Sequence, residues 1–169
     1  RSWGRLTPSH WQLGTDQVTL LDPQALELDE AESRAFLDAI RPLFEEDGYA
    51  LHWLRPHAWL VAHPALADLP CASLDRVVGR NVDLWLAADP RARPLRRLQN
   101  EVQMLLHQHP LNAAREARGA LAINSFWLDG CGALPTLPGV PDAMFVSRAD
   151  GVSVDDRLRT PALQDDAFA

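Results

Sequence analysis

His109-Pro110-Leu111-Asn112-Ala113-Ala114-Arg115-Glu116-Ala117-Arg118-Gly119, and beyond it Asn124-Ser125-Phe126-Trp127-Leu128-Asp129-Gly130-Cys131-Gly132, form the densest stretch of the chain. It reads as a short helix followed by a strand. Asn112 is a suitable N-cap, because its side-chain oxygen can accept an unpaired amide of the first turn, and Gly119 ends the helix after residue 118. Residues 122–128 are apolar and β-leaning, which predicts a buried strand. Gly130 and Gly132 permit a turn or a close backbone approach. A lone Gly-x-Gly with no clear helix after it is weak evidence for a nucleotide site.

Chemistry in this stretch centres on three polar residues. Arg115 and Arg118 point from adjacent turns, so two guanidiniums beside a helix N-terminus could clamp a phosphate or carboxylate. Equally, they could pair with the plentiful Asp and Glu. Asn124 lies within an apolar run and must find partners if buried, which makes it an organiser of nearby backbone first and a ligand second.

Working outward, Pro94 opens a helix reaching towards His109, with Leu95, Leu98, Val102, Leu105 and Leu106 as its apolar stripe. Arg96, Asn100, Gln103 and His107 line a second, hydrogen-bonding face. That face suits either solvent or a polar partner. Upstream, Ser73 can cap a turn over residues 74–78 that Gly79 ends, and residues 81–86 alternate as a strand would. Residues 49–54 and 58–63 flank Arg55-Pro56 and predict an antiparallel pair. Asp29 caps a helix with Glu30 and Glu32 in its first turn, an apolar face through Phe36, Ile40 and Phe44, and Gly48 at its end. Residues 10–13 and 17–21 predict a hairpin. Helices and strands do not alternate as βαβ units, so an α+β fold follows: an antiparallel sheet with helices packed mainly on one face. Residues 1–135 are expected to form this single domain, and residues 136–169, rich in Pro and Gly and then acidic, an irregular tail.

The chain has 169 residues and a formal charge of −7, which argues against broad nucleic-acid or membrane-surface binding. All 16 basic residues are arginine. Without lysine, Schiff-base chemistry and a P-loop lysine are excluded. Six histidines invite a metal reading. However, His107 and His109 would diverge by about 200° on a continuous helix, and His52, His57 and His63 meet no carboxylate at a recurrent spacing. No metal site and no catalytic residue are expected. Cys71 and Cys131 read as free thiols in a reducing compartment in preference to a single bridge, so the cytoplasm is the default location. The numbering opens on Arg1, which suggests a piece of a longer protein.

The pattern His-Pro-x-Asn-x-x-Arg-x-x-x-Gly followed by Asn-x-x-Trp-Leu-x-Gly-x-Gly resembles a motif of the archaeal-type, cofactor-independent phosphoglycerate mutases. It takes in His109, Pro110, Asn112, Arg115, Gly119, Asn124, Trp127, Leu128, Gly130 and Gly132. In that family the motif lies near the end of an α+β domain inserted into an alkaline-phosphatase-like core. The likeness is greater still to proteobacterial phosphoglycerate mutase-like or Rpf-type regulatory proteins of about twice this length, and covers roughly residues 10–135. The resemblance implies a bacterial binding or regulatory domain without catalysis of its own. Asn112, Arg115, Arg118 and Asn124 are then candidates to bind an anion or substrate, framed by His109, Pro110, Gly119, Trp127, Gly130 and Gly132.

Two features of the mutase insert are altered here. Where the mutases show a Tyr-Arg pair on a strand, this chain has His57-Ala58-Trp59-Leu60. Their Pro-Pro-His-Asp stretch before Gly-Lys becomes residues 71–80, with Asp75 and Gly79-Arg80 but no His before Asp75. The mutases' two divalent metals and serine belong to the phosphatase core, to which nothing in this chain is similar. No cofactor is therefore expected in the chain itself, although a full-length enzyme would bring a divalent metal. The expected partner is a phosphorylated small molecule or a protein. Alternatives are a metal-dependent phosphotransferase whose catalytic core lies outside these residues, and a protein-interaction module presenting the Arg96–His107 face and exposed tryptophans.

Overall fold

The computed structural model describes residues 2–86 and 89–133. The tail expected over 136–169 lies outside the described residues. Strands β1 (Ser2–Ser9), β4 (Ala50–Arg55), β5 (Ala58–Ala62) and β6 (Ser125–Ala133) form one antiparallel sheet in the order β4-β5-β1-β6. A separate hairpin pairs β2 (Trp11–Leu13) with β3 (Val18–Leu20). The helices are α1 (Glu30–Glu46), α2 (Leu74–Val77), α3 (Arg93–Leu106) and α4 (Pro110–Ala117). The architecture is α+β, as the sequence pattern requires. No helix among the described residues is long and apolar enough to cross a membrane.

Period-two alternation assigns the two faces of the sheet. Leu6 pairs with Trp59 on one side and Leu128 on the other, and shares its face with Leu51, Trp53, Val61 and Phe126. Phe36, Leu37, Ile40 and Phe44 of α1, with Leu95, Leu98, Val102 and Leu106 of α3, cover that face. Fully burying each such side chain stabilises the fold by about 1.5–3 kcal/mol, so this face dominates the energetics. One buried hydroxyl fastens it. Ser33 Oγ donates to Pro56 O (2.8 Å) and accepts from Trp53 Nε1 and Trp59 Nε1, each at 3.0 Å. α1 begins where Asp29 accepts from the Glu32 amide (2.8 Å). It ends at Gly48, whose φ of +81° lets the chain reverse and the Tyr49 amide return to Phe44 O.

The opposite face is covered only in part, by the hairpin, α2 and a 3-10 turn at Val82–Leu84. Together they bury Leu20, Val77, Val82 and Trp127. The strand expected over 81–86 is replaced by that turn. Asn81 makes a single bridge to Thr19, and its side chain accepts from the Asp83 amide (3.1 Å), a local bond that competes with a ladder.

Other boundaries also move. The cap of α4 is His109, whose Nδ1 accepts from the Leu111 amide (3.2 Å), and not Asn112. Pro110 is preset for the first helical position and starts the helix two residues earlier. α3 stops at Leu106, and His107 is its C-cap, extended in ψ but with its amide still donating to Gln103 O (3.0 Å). The strand expected over 122–128 begins at Ser125. Gly130 and Gly132 lie within it instead of in a turn. Arg5 opposes Asp129 and Trp3 opposes Gly132, so Gly4 faces two residues, and Gly130 at φ +62° forms the bulge. β1, at the centre of the sheet, comes from residues to which no element was assigned.

Candidate functional site

Two polar assemblies contain the residues with chemical capacity. The first is built on α4. Asn112, buried in its first turn, donates to Leu106 O (3.0 Å) and Ile123 O (2.8 Å) and accepts from the Ile123 amide (2.8 Å). Arg115 is completely buried. Its Nε donates to Leu121 O (2.6 Å), one terminal nitrogen to Glu32 Oε1, and the other to Leu26 O. Arg118, half exposed, donates to the second oxygen of Glu32 (2.7 Å). A single carboxylate from the first turn of α1 thus sits between the two guanidiniums, in the position an anion was expected to take. Asn124 is tied to Trp11 in both directions, accepting from its amide (2.7 Å) and donating to its carbonyl (3.0 Å).

The structure therefore brings Arg115 and Arg118 together through Glu32. Asn112 meets the same 121–123 segment at Ile123, while Asn124 belongs to the join between β6 and the hairpin. None of their hydrogen bonds reaches Gly130 or Gly132. Trp127 Nε1 instead holds Ala72 O (2.9 Å). On α3, Arg96 is half-buried, with one donor near Asp89 O (3.4 Å), whereas Asn100, Gln103 and His107 are exposed. Three histidines have local tasks. His10 meets Ala122 O (2.7 Å), His63 caps the turn at Ala65 and stacks on Tyr49, and His109 caps α4.

The second assembly lies on the less covered face. Arg5 of β1 grips Asp129 of β6 through two bonds (2.8 and 2.6 Å), and Asp129, almost fully buried, also accepts from the Leu74 amide (2.8 Å). Beside them opens a cleft of about 470 Å³, within the usual size of a small-molecule site. Arg5, Arg55, His57, Asp22, Asp75 and Thr7 are among its lining residues. Arg55 is exposed and enters no ion pair with a described residue. The His57 Nδ1 atom is buried with no hydrogen-bond partner among the described residues. Burial lowers the His57 pKa below its ordinary 6.5, against a smaller opposing effect of the Asp22 charge.

The two guanidiniums and the imidazole among the cleft's lining residues suit a phosphate or carboxylate. Asp22, whose charge acts on His57, and Asp75, whose charge acts on Arg5, line the same cleft and can accept from hydroxyls. Sequence reading missed this cleft because its parts come from β1, the β4–β5 turn and α2. The departures noted at 57–60 and 71–80 were the available signal, since both segments line it.

No known family profile and no curated protein matches the sequence. Over 80% of its length the chain is similar in fold to the cofactor-independent phosphoglycerate mutase from Thermoplasma acidophilum, with a TM-score of 0.58 and 20% identity. The chain spans 38% of that protein. At this identity the likeness establishes a shared fold and nothing finer.

Proposed function

We propose that this chain is a phosphoglycerate mutase-like domain that binds a small phosphorylated molecule without transforming it, in a regulatory or ligand-holding role. The observation that carries the reading is the contrast between its arginines. Arg115 is committed to internal acceptors, whereas Arg55 and the outer part of Arg5 face an open cleft that the His57 imidazole also lines. The fold shared with a mutase supports the substrate class. The rival location is the motif itself, where an anion would have to displace Glu32 from Arg118.

Calorimetric titration with 3-phosphoglycerate and with inorganic phosphate tests this. Arg55→Ala should abolish binding while Arg118→Ala leaves it intact; the reverse pattern would move the site to the motif. A second reading, a metal-dependent mutase whose catalytic core lies elsewhere, is favoured by the chain spanning 38% of the structural neighbour. It predicts turnover of phosphoglycerate by the full-length protein with manganese or cobalt. Absence of turnover under those conditions would remove it.

A further inference from the structure

Cys71 and Cys131 are free thiols separated by 60 positions, yet the fold sets them against each other. The segment carrying Cys71 is fastened to edge strand β6 by two bonds, Trp127 Nε1 to Ala72 O (2.9 Å) and the Leu74 amide to Asp129 (2.8 Å). Both thiols also lie around Leu128: Cys71 lines one surface hollow with it, and the Leu128 side chain and the Cys131 sulfur stand together over Gly4. Room for this exists because the bulge at Gly130 carries Cys131 over Gly4, where a side-chain carbon would stand 3.3 Å from the Cys131 sulfur. Each cysteine is only half-buried, and Cys71 lines a small surface hollow beside Trp127 and Leu128.

We propose that Cys71 and Cys131 are a redox-responsive pair that closes to a disulfide when a low-molecular-weight disulfide such as oxidised glutathione is present, stapling the 69–74 segment to β6. The chemistry is thiol–disulfide exchange. The Cys71 thiolate attacks one sulfur of the oxidant, the oxidant's S–S bond breaks, and one glutathione leaves as thiolate. Cys131 then loses its proton to water and attacks the Cys71 sulfur of the mixed disulfide, releasing the second glutathione. Two protein thiols are oxidised and one glutathione disulfide is reduced to two thiols. The hydrogen bond from Cys131 assigns the roles. It brings the Cys71 thiol down to about 7 and raises that of Cys131, so Cys71 is the attacking thiol and Cys131 the resolving one. Because α2 follows directly, the staple also restrains the wall of the polar cleft that carries Leu74 and Asp75. The pair stands whether or not that cleft binds a phosphorylated ligand.

The test uses the intact chain in glutathione redox buffers, with thiol counting, mass spectrometry and thermal melting. Wild type should lose both thiols together, lose two hydrogen masses, yield a crosslinked peptide containing both cysteines, and melt several degrees higher. Cys131→Ser should stop at a mixed disulfide on Cys71. Alkylation of the reduced wild type should proceed on the order of tenfold faster at Cys71 than at Cys131 at neutral pH. Retention of both thiols, accumulation of mixed disulfide in wild type, a link between two chains, or equal alkylation rates would overturn the proposal.

Discussion

Arg115 and Arg5 each hold a carboxylate across the fold, and the two assemblies differ in what else their guanidiniums meet. Around Arg115 the acceptors are two backbone carbonyls and Glu32, with the arginine side chain wholly inside. Around Arg5 the carboxylate is the buried partner, at 2% exposure, and the arginine is 42% exposed on the wall of a cleft. Burial of the cation makes a tie; burial of the anion leaves the cation's outer edge available to a ligand. Residue type is the same in both, so burial decides which arginine is architecture.

Arg115→Ala is the largest expected perturbation. It leaves Leu26 O, Leu121 O and Glu32 without their donor, and removing one member of a buried charged network costs about 3–5 kcal/mol. Urea unfolding should show this as a lowered midpoint. A midpoint within error of wild type would mean that Arg115 is free to serve a ligand, and the comparison would collapse.

Asn112→Ala should come next, at about 1–3 kcal/mol, since three buried backbone groups lose partners. Asn124→Ala should cost less, because its two bonds to Trp11 are half-buried and water can replace them. If the order is reversed in the same unfolding assay, the join to the hairpin matters more than the α4 connection. Arg118→Ala belongs at the bottom of this series, at about 0–1 kcal/mol, because it is a half-exposed ion pair. A loss matching that of Arg115→Ala would show that Glu32 depends on both arginines to stay folded inward.

These differences also mark what the sequence could show. α1, the β4–β5 pair and the β2–β3 hairpin were legible because period, caps and turn residues agree locally. β1 was not. Its residues 2–9 contain Pro8 and two apolar residues, Trp3 and Leu6, that serve opposite faces and so break the alternation, and its place at the sheet centre depends on β5 and β6 far along the chain. For α4, Asn112 looked like a cap because Asn satisfies amides in either role; only the fold shows its amide turned towards Ile123. The motif residues were visible, but whether Arg115 faced solvent or Glu32 was a tertiary question. The cleft was least legible, since Arg5, His57 and Asp75 share no local pattern.

The smallest effect concerns His57, and it sharpens the comparison from the open side. Its folded pKa lies below 6.5 because burial disfavours the imidazolium. As pH falls, the unfolded chain therefore takes up this proton first. The stability owed to neutral His57 is fully present above the unfolded value of about 6.5 and is lost as pH falls through it towards the folded pKa. Contact with solvent keeps this loss small beside the Arg115 term. An anion held between Arg55 and His57 would favour the imidazolium and raise the folded pKa. By reciprocity, such a ligand must then bind more tightly as pH falls through that range. NMR titration of the His57 ring with and without 3-phosphoglycerate reads both quantities at once. A midpoint moving upward with ligand assigns the ring to the site, whereas identical midpoints would leave Arg55 and Arg5 as its only cationic contacts.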